Sequence, residues 1–421
     1  MEHIYDAAVI GAGPAGASCA YWLAKAGCDV VFVDKKQFPR EKTCGDGLTP
    51  RAVRQLWDMG LSEQLDNHHY YKGLRAYGFG HFLQMEWPDH PDLPSAGYTV
   101  TRYDLDDMVS TNAQKAGALL MQGTEALGVL REAGHSQGAV TGIRVRGADS
   151  DEIRARYIVV ADGANSRIGR ELGVHRHKTW PQGMAIRGYW DSVRHDEPWI
   201  ESHLDITGED GEVLPGYGWV FPLGDGRVNL GVGLLNTSIS HKGNRAANTT
   251  KLLDSFLRKV GANWDVDVDN PCAPPTGGRL PMGLAVGPRS GPNYLMAGDS
   301  AGTINPFNGE GISYAYETGR MAAGCIIAAL GGGGATSLSR YDQLVEEEYG
   351  DYYRLGRAFV RIIGHPAVLR ACVGTGMRSK PIMEIVMRVM ANILRPGYTG
   401  VAETAVEAAY LLEHLKDRLA I

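Results

Sequence analysis

The segment Gly11-Ala12-Gly13-Pro14-Ala15-Gly16 constrains the fold of this chain more than any other. It is a G-x-G-x-x-G that directly follows a short apolar run, residues 6–10, and opens a stretch with helical character from Ala15 to Ala26. A second apolar run, Val30 to Val33, ends on Asp34, with Lys35 behind it. Strand, glycine turn, helix and acid-terminated strand make the opening unit of a doubly wound, parallel α/β layer that holds a dinucleotide. Each glycine has a distinct task. Gly11 makes the tight turn, Gly13 lets backbone approach a pyrophosphate, and Gly16 lets the helix pack on the strand. The helix N-terminus offers unpaired N–H groups and partial positive charge to phosphates. Asp34 stands where a carboxylate accepts from ribose hydroxyls. A glycine-rich surface turn would carry neither these flanking elements nor the acid.

Bulk properties narrow the class. A length of 421 residues suggests two or three structural units. The net charge of −6 gives no overall basic field, so nucleic acid is not an expected partner. The six cysteines, Cys19, Cys28, Cys44, Cys272, Cys325 and Cys372, form no C-x-x-C pair, which fits a reducing cytoplasm without a disulfide framework. His68-His69 and His175-Arg176-His177 lack a carboxylate at ligand spacing, so they are assigned to the surface and no metal is expected. The first apolar run starts almost at once, which predicts no signal peptide. No stretch holds the ~18–20 uninterrupted apolar residues of a membrane span.

Along the chain, the glycine-loop unit leads into a polar segment, 35–43, and then Cys44-Gly45-Asp46-Gly47-Leu48. Residues around 70–100 are aromatic and strand-like, and Thr101-Arg102 opens a helical stretch to about Ala116. Strands then return and end at Asp162-Gly163. From about 180 to 275 the chain is strand-rich again, with a hairpin from Gly216–Pro222 through Gly224-Asp225-Gly226 to Val228–Gly233. Gly298-Asp299 precedes a helix from about Gly311 to Leu330, and Gly331 to Gly334 reads as a flexible break. The predicted division is a nucleotide domain from 1–70, 100–172 and 280–345, a substrate-binding sheet domain from 71–99 and 173–279, and a helical region over 346–421.

Four separated signatures act together: the glycine loop with Asp34, Arg102 with Asp104, Asp162-Gly163, and Gly298-Asp299 followed by Pro306-Phe307-Asn308-Gly309-Glu310-Gly311. In this order they resemble FAD-dependent flavoproteins of the group that contains para-hydroxybenzoate-hydroxylase-like monooxygenases and geranylgeranyl reductases. Residues 38–50, Phe-Pro-Arg-Glu-Lys-Thr-Cys-Gly-Asp-Gly-Leu-Thr-Pro, and the Y-x-W-x-F-P run Tyr217 to Pro222 are similar to geranylgeranyl reductases over nearly the whole chain. Arg187-Gly188-Tyr189 and Pro215-Gly216-Tyr217 extend the match. Within that family the likeness is closest to actinobacterial members that saturate one isoprene unit of the menaquinone tail. One departure stands out. Asp46 follows Cys44-Gly45 where many members have a second glycine, and the menaquinone-type members share the aspartate.

The resemblance implies a fold: an α/β, Rossmann-like FAD-binding domain with an inserted mixed or antiparallel sheet and a C-terminal helical region. It also implies FAD as cofactor, held by Gly11, Gly13, Ala15, Gly16, Asp34, Lys35, Cys44, Gly45, Arg102, Asp162, Gly163, Asp299, Gly309 and Gly311. Arg102 is placed on the pyrophosphate side and Asp299 against ribityl or ribose hydroxyls. Arg40 and Lys42 are left open between FAD phosphate and solvent. The expected partner is a polyprenyl quinone or other isoprenoid lipid. No second dinucleotide fold is visible, so the electron donor stays open between NAD(P)H docking transiently, another protein and a quinol.

Reducing an isolated trisubstituted alkene needs a proton source, an aromatic face for positive charge, and an apolar wall against water. Tyr217 and Trp219 flank Gly218 on one strand and share a face. They are candidates for the tunnel wall, with Tyr217 a proton relay, or for ordinary core aromatics. Cys44, in a glycine-flanked loop, is a candidate proton donor or flavin-tuning thiol, or a small buried hydrophobe. Near the C-terminus, Ser379-Lys380-Pro381 starts a helix whose only polar stripe is Glu384, Arg388 and Asn392. Such a helix is either core or partly in lipid. With Arg354, Arg357, Arg361, Arg370 and Arg378 nearby, it suggests a cytoplasmic protein held peripherally on the inner face of the membrane. Other functions on the same fold are reduction of a geranylgeranyl diphosphate or lipid, and a flavin monooxygenase or halogenase. A flavin carrier without turnover is the alternative outside enzymology.

Overall fold

The computed structural model describes residues 3–132, 138–208, 211–235, 248–395 and 397–419. The predicted opening unit is present: strand Ile4–Ile10, helix Pro14–Lys25 and strand Val30–Asp34. Strand Val30–Asp34 is buried along its whole length, as a continuous apolar run in a parallel sheet must be. The sheet runs Ser290–Gly291, Tyr294–Met296, Glu152–Val160, Ile4–Ile10, Val30–Asp34, Leu119–Gln122, with the last five strands mutually parallel. An antiparallel hairpin, Glu125–Arg131 with Val140–Arg146, extends it from the Glu152–Val160 strand.

One side of this sheet carries helix Pro14–Lys25, packed against helix Ile312–Ala328 so closely that a Cβ on Gly319 would lie 2.3 Å from the Ala15 carbonyl oxygen. Ser18 Oγ donates to the Tyr316 carbonyl at 2.9 Å across the same seam. Helix Arg102–Lys115 begins as expected, with the Thr101 hydroxyl accepting from the Asp104 amide.

The second sheet has seven strands in the order Thr276–Pro281, Gln182–Asp191, Arg227–Leu235, Gly216–Pro222, Trp199–His203, Gly73–Gly78, His81–Glu86. The predicted hairpin is there, with Pro222 opposite Val228. Alternation gives this sheet two different faces. Its outer face carries Trp190, Val220, Leu230 and Val232 and is covered by helix Thr249–Trp264. Its inner face carries Arg187, Tyr189, Tyr217, Trp219, Phe221 and Asn229, and meets the Cys44 loop. Farther along, Met383 and Met387 of helix Lys380–Met390 pack with Ile200, Met85 and Tyr71. That helix is therefore partly core. Glu384 and Arg388 pair at 3.5 Å as the i,i+4 spacing predicts, and Arg388 turns inward to the Asp89 carbonyl.

One expectation changes. Gly331 to Gly334 is a kink with Gly332 at φ 109°, and helix continues on both sides of it. The joined run, Ile312–Ile363, has by length and mean composition the character of a membrane-crossing helix, although Glu317 and Arg320 interrupt its apolar residues. Its first half is nonetheless a core helix, with Tyr314, Tyr316, Ala322, Ala323 and Ile326 buried.

Candidate active site

The glycine loop is built as the spacing requires. Gly11 adopts φ 96°, and a Cβ there would lie 2.4 Å from the Ala161 carbonyl oxygen. A Cβ on Gly16 would lie 1.8 Å from the Gly11 carbonyl oxygen. Gly13 caps the helix, and Ala15 is buried beside Gly298 in its first turn. The Asp34 carboxylate accepts from the Ala12 amide at 3.2 Å and the Lys36 amide at 2.9 Å, which ties the acid to the loop. Lys35 is exposed on the rim.

Two guanidinium groups flank this loop. Arg102 is paired through two nitrogens with Asp106, at 2.6 and 2.7 Å. Arg40 bridges Asp34 at 3.1 Å and Asp106 at 2.9 Å, so it is built into the wall rather than solvated. Both guanidinium groups approach the position of a Gly13 Cβ, at 3.7 Å for Arg102 and 3.9 Å for Arg40. Fixed cations beside a helix N-terminus suit a diphosphate.

Farther along the cleft lie acceptors without enough donors. One oxygen of Asp162 receives the Arg167 and Ile168 amides, while Oδ1 is buried without a partner. Gly163 follows at φ 84°. Asp299 carries no side-chain hydrogen bond among the described residues, and burial pushes its carboxyl up against the pull of Lys42 and Arg102. Gly311 leaves room beside it, since a Cβ there would lie 3.3 Å from Asp299 Oδ1. Gly309, at φ 76°, turns the chain ahead of helix Ile312–Ala328.

The Cys44 loop closes this cleft against the second sheet. Its carbonyl accepts from Arg187 Nε at 3.1 Å and Asn229 Nδ2 at 2.9 Å. Gly45 lies against Trp219 and Phe221, at 3.4 and 3.2 Å from where its Cβ would be. Burial, and next the Asp46 carboxylate, push the Cys44 thiol up, while Arg102 pulls it down. Tyr217 and Trp219 share one face, with ring centroids 6.0 Å apart. Trp219 is only 6% exposed, under the loop, and its Nε1 donates to Asn229 Oδ1 at 2.9 Å. Tyr217 is less buried, and its hydroxyl donates to the Asn308 carbonyl at 2.6 Å. That proton is committed to the backbone, which weakens the relay role expected for Tyr217.

Residues 4–210 match the family model of the FAD binding domain. A menaquinone reductase of Mycobacterium tuberculosis is 40% identical over 392 residues, 92% of this chain and 91% of that one. A digeranylgeranylglycerophospholipid reductase of Methanopyrus kandleri is 30% identical over 370 residues, 85% of this chain and 90% of that one. The chain belongs to the geranylgeranyl reductase family of FAD-dependent oxidoreductases. The fold of this reductase matches a geranylgeranyl bacteriochlorophyll reductase-like crystal structure from Thermoplasma acidophilum, with a TM-score of 0.78 at 23% identity, over 97% of this chain and 100% of that one.

The cradle of the reductase fits FAD on its own geometry. The glycine loop and two arginines suit the diphosphate, and the under-used acceptors Asp162 and Asp299 suit hydroxyl groups. Sequence reasoning left Arg40 undecided, quoted Arg187 and Tyr189 only as part of the family match without a role, and missed Asn229. For Arg187 and Tyr189 the signal was available, because they alternate around Gly188 and share a face. His203 was also missed. It is buried against Glu201 at 3.0 Å on the outer face, under Phe256. His175 and His177 are exposed as expected, whereas His68 and His69 are half-buried, with His69 bonded to the Glu197 carbonyl.

Proposed function

We propose that this reductase saturates an isolated C=C bond in a polyprenyl chain, one isoprene unit of a menaquinone tail. The observation that carries the proposal is the Cys44-Gly45 turn seated on Trp219 and Phe221 at the edge of the FAD cradle. It brings a protonated thiol, an aromatic wall and an apolar sheet face to one place. Reduced FAD, when bound, supplies the hydride. Cys44 holds the proton, because a buried thiol stays neutral. Tyr217 and Trp219, tilted rings 6.0 Å apart on one sheet face, form the aromatic side of the site. Leu280 and Met282, beside Gly309, and Ile304, beside Gly311, contribute to the wall that keeps water from the reacting carbons.

The same proposal assigns Gly11, Gly13, Ala15, Gly16 and Arg102 to the diphosphate, with Asp34 and Lys35 toward the adenosine. It assigns Asp162, Gly163, Asp299, Gly309, Gly311, Cys44 and Gly45 to the remainder of the cofactor. The test is a single turnover. Chemically reduced holoprotein is mixed with unsaturated menaquinone and the lipid is read by mass spectrometry. A gain of two hydrogens in the tail is expected. Saturation of geranylgeranyl diphosphate alone would replace the quinone assignment, and oxygen consumption with an oxygenated product would remove reduction altogether.

A lipid-borne substrate makes peripheral membrane contact part of the proposal. Arg361, Arg370 and Arg378 are exposed near Ile362 and Ile382, which are 55% and 45% exposed. Arg357 is instead held by the Gly283 carbonyl and stacked on Trp180, so it is not part of that surface. Each basic residue near an anionic surface contributes about 1 kcal/mol. The R361E/R370E/R378E variant is therefore expected to lose at least about a hundredfold in affinity for anionic vesicles in flotation. High salt should mimic the loss, and equal binding by both proteins would remove this surface from the proposal.

A further inference from the structure

Asp46 is 0% exposed, and its backbone sits at φ 65°, in the left-handed region that favours glycine. A glycine would serve the turn with less strain, so the carboxylate must be sought in its contacts. Oδ2 accepts from the Tyr189 hydroxyl at 2.6 Å and from Asn229 Nδ2 at 2.8 Å, while Oδ1 is buried without a partner. Asn229, itself fully buried, has its amide orientation fixed by its neighbours. Nδ2 faces two acceptors, the Asp46 carboxylate and the Cys44 carbonyl, and Oδ1 faces one donor, Trp219 Nε1. One buried amide thus links the acid, the Cys44 turn and the indole.

We infer that Asp46 is a positioning residue which, in its ionised form, holds Asn229 and through it the Cys44 turn and the Trp219 ring in their working arrangement. The inference rests on the proposed reductase function and adds a residue to it. The hydrogen bonds of its carboxylate go to Tyr189 and Asn229, residues assigned to neither the alkene wall nor the cofactor. The groups that face it are Tyr189 and Arg187 from one strand, Asn229 from the next, and Arg102 and Cys44 from the cradle side. Tyr189 in turn lies against Arg187, 4.1 Å from its ring centre, and Arg227, at 5.2 Å. Burial outweighs these donors and cations and raises the Asp46 carboxyl to about 6. The sign follows. Above that pH the ionised acid accepts from both donors, and below it a proton on the carboxyl weakens the clamp.

Two measurements test this. In single turnovers of the reduced holoprotein, D46N and D46G are expected to keep FAD and KM and lose about 10–100-fold in kcat, the loss of a charge-assisted hydrogen bond. Wild type should lose rate as pH falls through 6, and both variants should lack that limb. The Tyr189→Phe variant removes one stabilising donor and should move the limb to higher pH, which decides the matter if the Asp46 variants fail to fold. The second measurement needs no substrate. The Trp219 Nε1–H proton resonance, assigned by its loss in W219F, should shift between pH 8 and pH 5 in wild type and stay still in D46G. Failure to reduce any polyprenyl substrate would remove the proposed function, yet this resonance would still report on the clamp. A resonance that does not move in wild type, or variants with wild-type kcat and an unchanged acid limb, would overturn the inference.

Discussion

Replacing Gly16 with alanine is expected to give a colourless protein that does not retain FAD. The added Cβ would lie 1.8 Å from the Gly11 carbonyl oxygen, 3.0 Å from its carbon, and 3.3 Å from Val9 Cγ1. Two of these three atoms are backbone and cannot rotate away. Relief requires helix Pro14–Lys25 to lift from strand Ile4–Ile10, and that helix is held from its other side. Gly319 meets the Ala15 carbonyl, and Ser18 bonds to Tyr316. Overpacking of this kind costs about 1–3 kcal/mol where side chains can yield, and more where only backbone can. The same movement carries away the first-turn N–H groups that would meet the diphosphate. The measurement is the ratio of visible to ultraviolet absorbance after desalting, together with the melting temperature. Gly324→Ala is the control. It lies within helix Ile312–Ala328 with nothing within 4 Å of its Cβ, so it should gain up to about 1 kcal/mol from helix propensity and stay yellow. A G16A protein with wild-type flavin content would show that close helix–strand contact is not what the motif enforces.

That glycine was legible from sequence because its constraint is local: turn, helix and strand lie within thirty residues or so, and periodicity marks all three. The Y-x-W-x-F-P strand was legible from alternation and turn chemistry and Cys44 from its glycine-flanked loop, the resemblance gave both a functional role, and their meeting was not legible. The carbonyl of Cys44 is held by Arg187 and Asn229, which lie 143 and 185 residues farther along the chain. Asn229 has no signature of its own, because a strand asparagine shows its function only once the facing loop is in place. Arg40 was undecided for a related reason. Its partners Asp34 and Asp106 come from two different elements of the nucleotide layer, and nothing in a run of charges tells a walled-in arginine from a solvated one. Helix Lys380–Met390 was ambiguous in the same sense. Its apolar circumference suited core or lipid equally until Met383 and Met387 were found against the sheet while Ile382 remained exposed.

Substituting Cys44 by alanine is expected to slow alkene reduction by about 10²–10⁴-fold, the usual span for removing a positioned proton donor. FAD content should hold, because the loop is anchored by its backbone. The Cys44 carbonyl, not its sulfur, accepts from Arg187 and Asn229, and alanine keeps that carbonyl. Ionisation favours the donor role. Burial and the Asp46 carboxylate push the thiol above its ordinary range, and Arg102 offsets this only in part. The proton is therefore retained through neutrality, and its loss should lower the rate on the alkaline side of the ordinary thiol range, a limb separate from the acid limb of Asp46. Serine in place of cysteine has a much less acidic proton and should give an intermediate rate. Pre-steady-state oxidation of the reduced protein by the polyprenyl substrate separates this step from re-reduction. A C44A protein that oxidises at the wild-type rate would assign the proton elsewhere. Glu310 would then be the group to replace, since it has one carboxylate oxygen bonded to Thr49 and Ser313, and its other oxygen is buried without a partner.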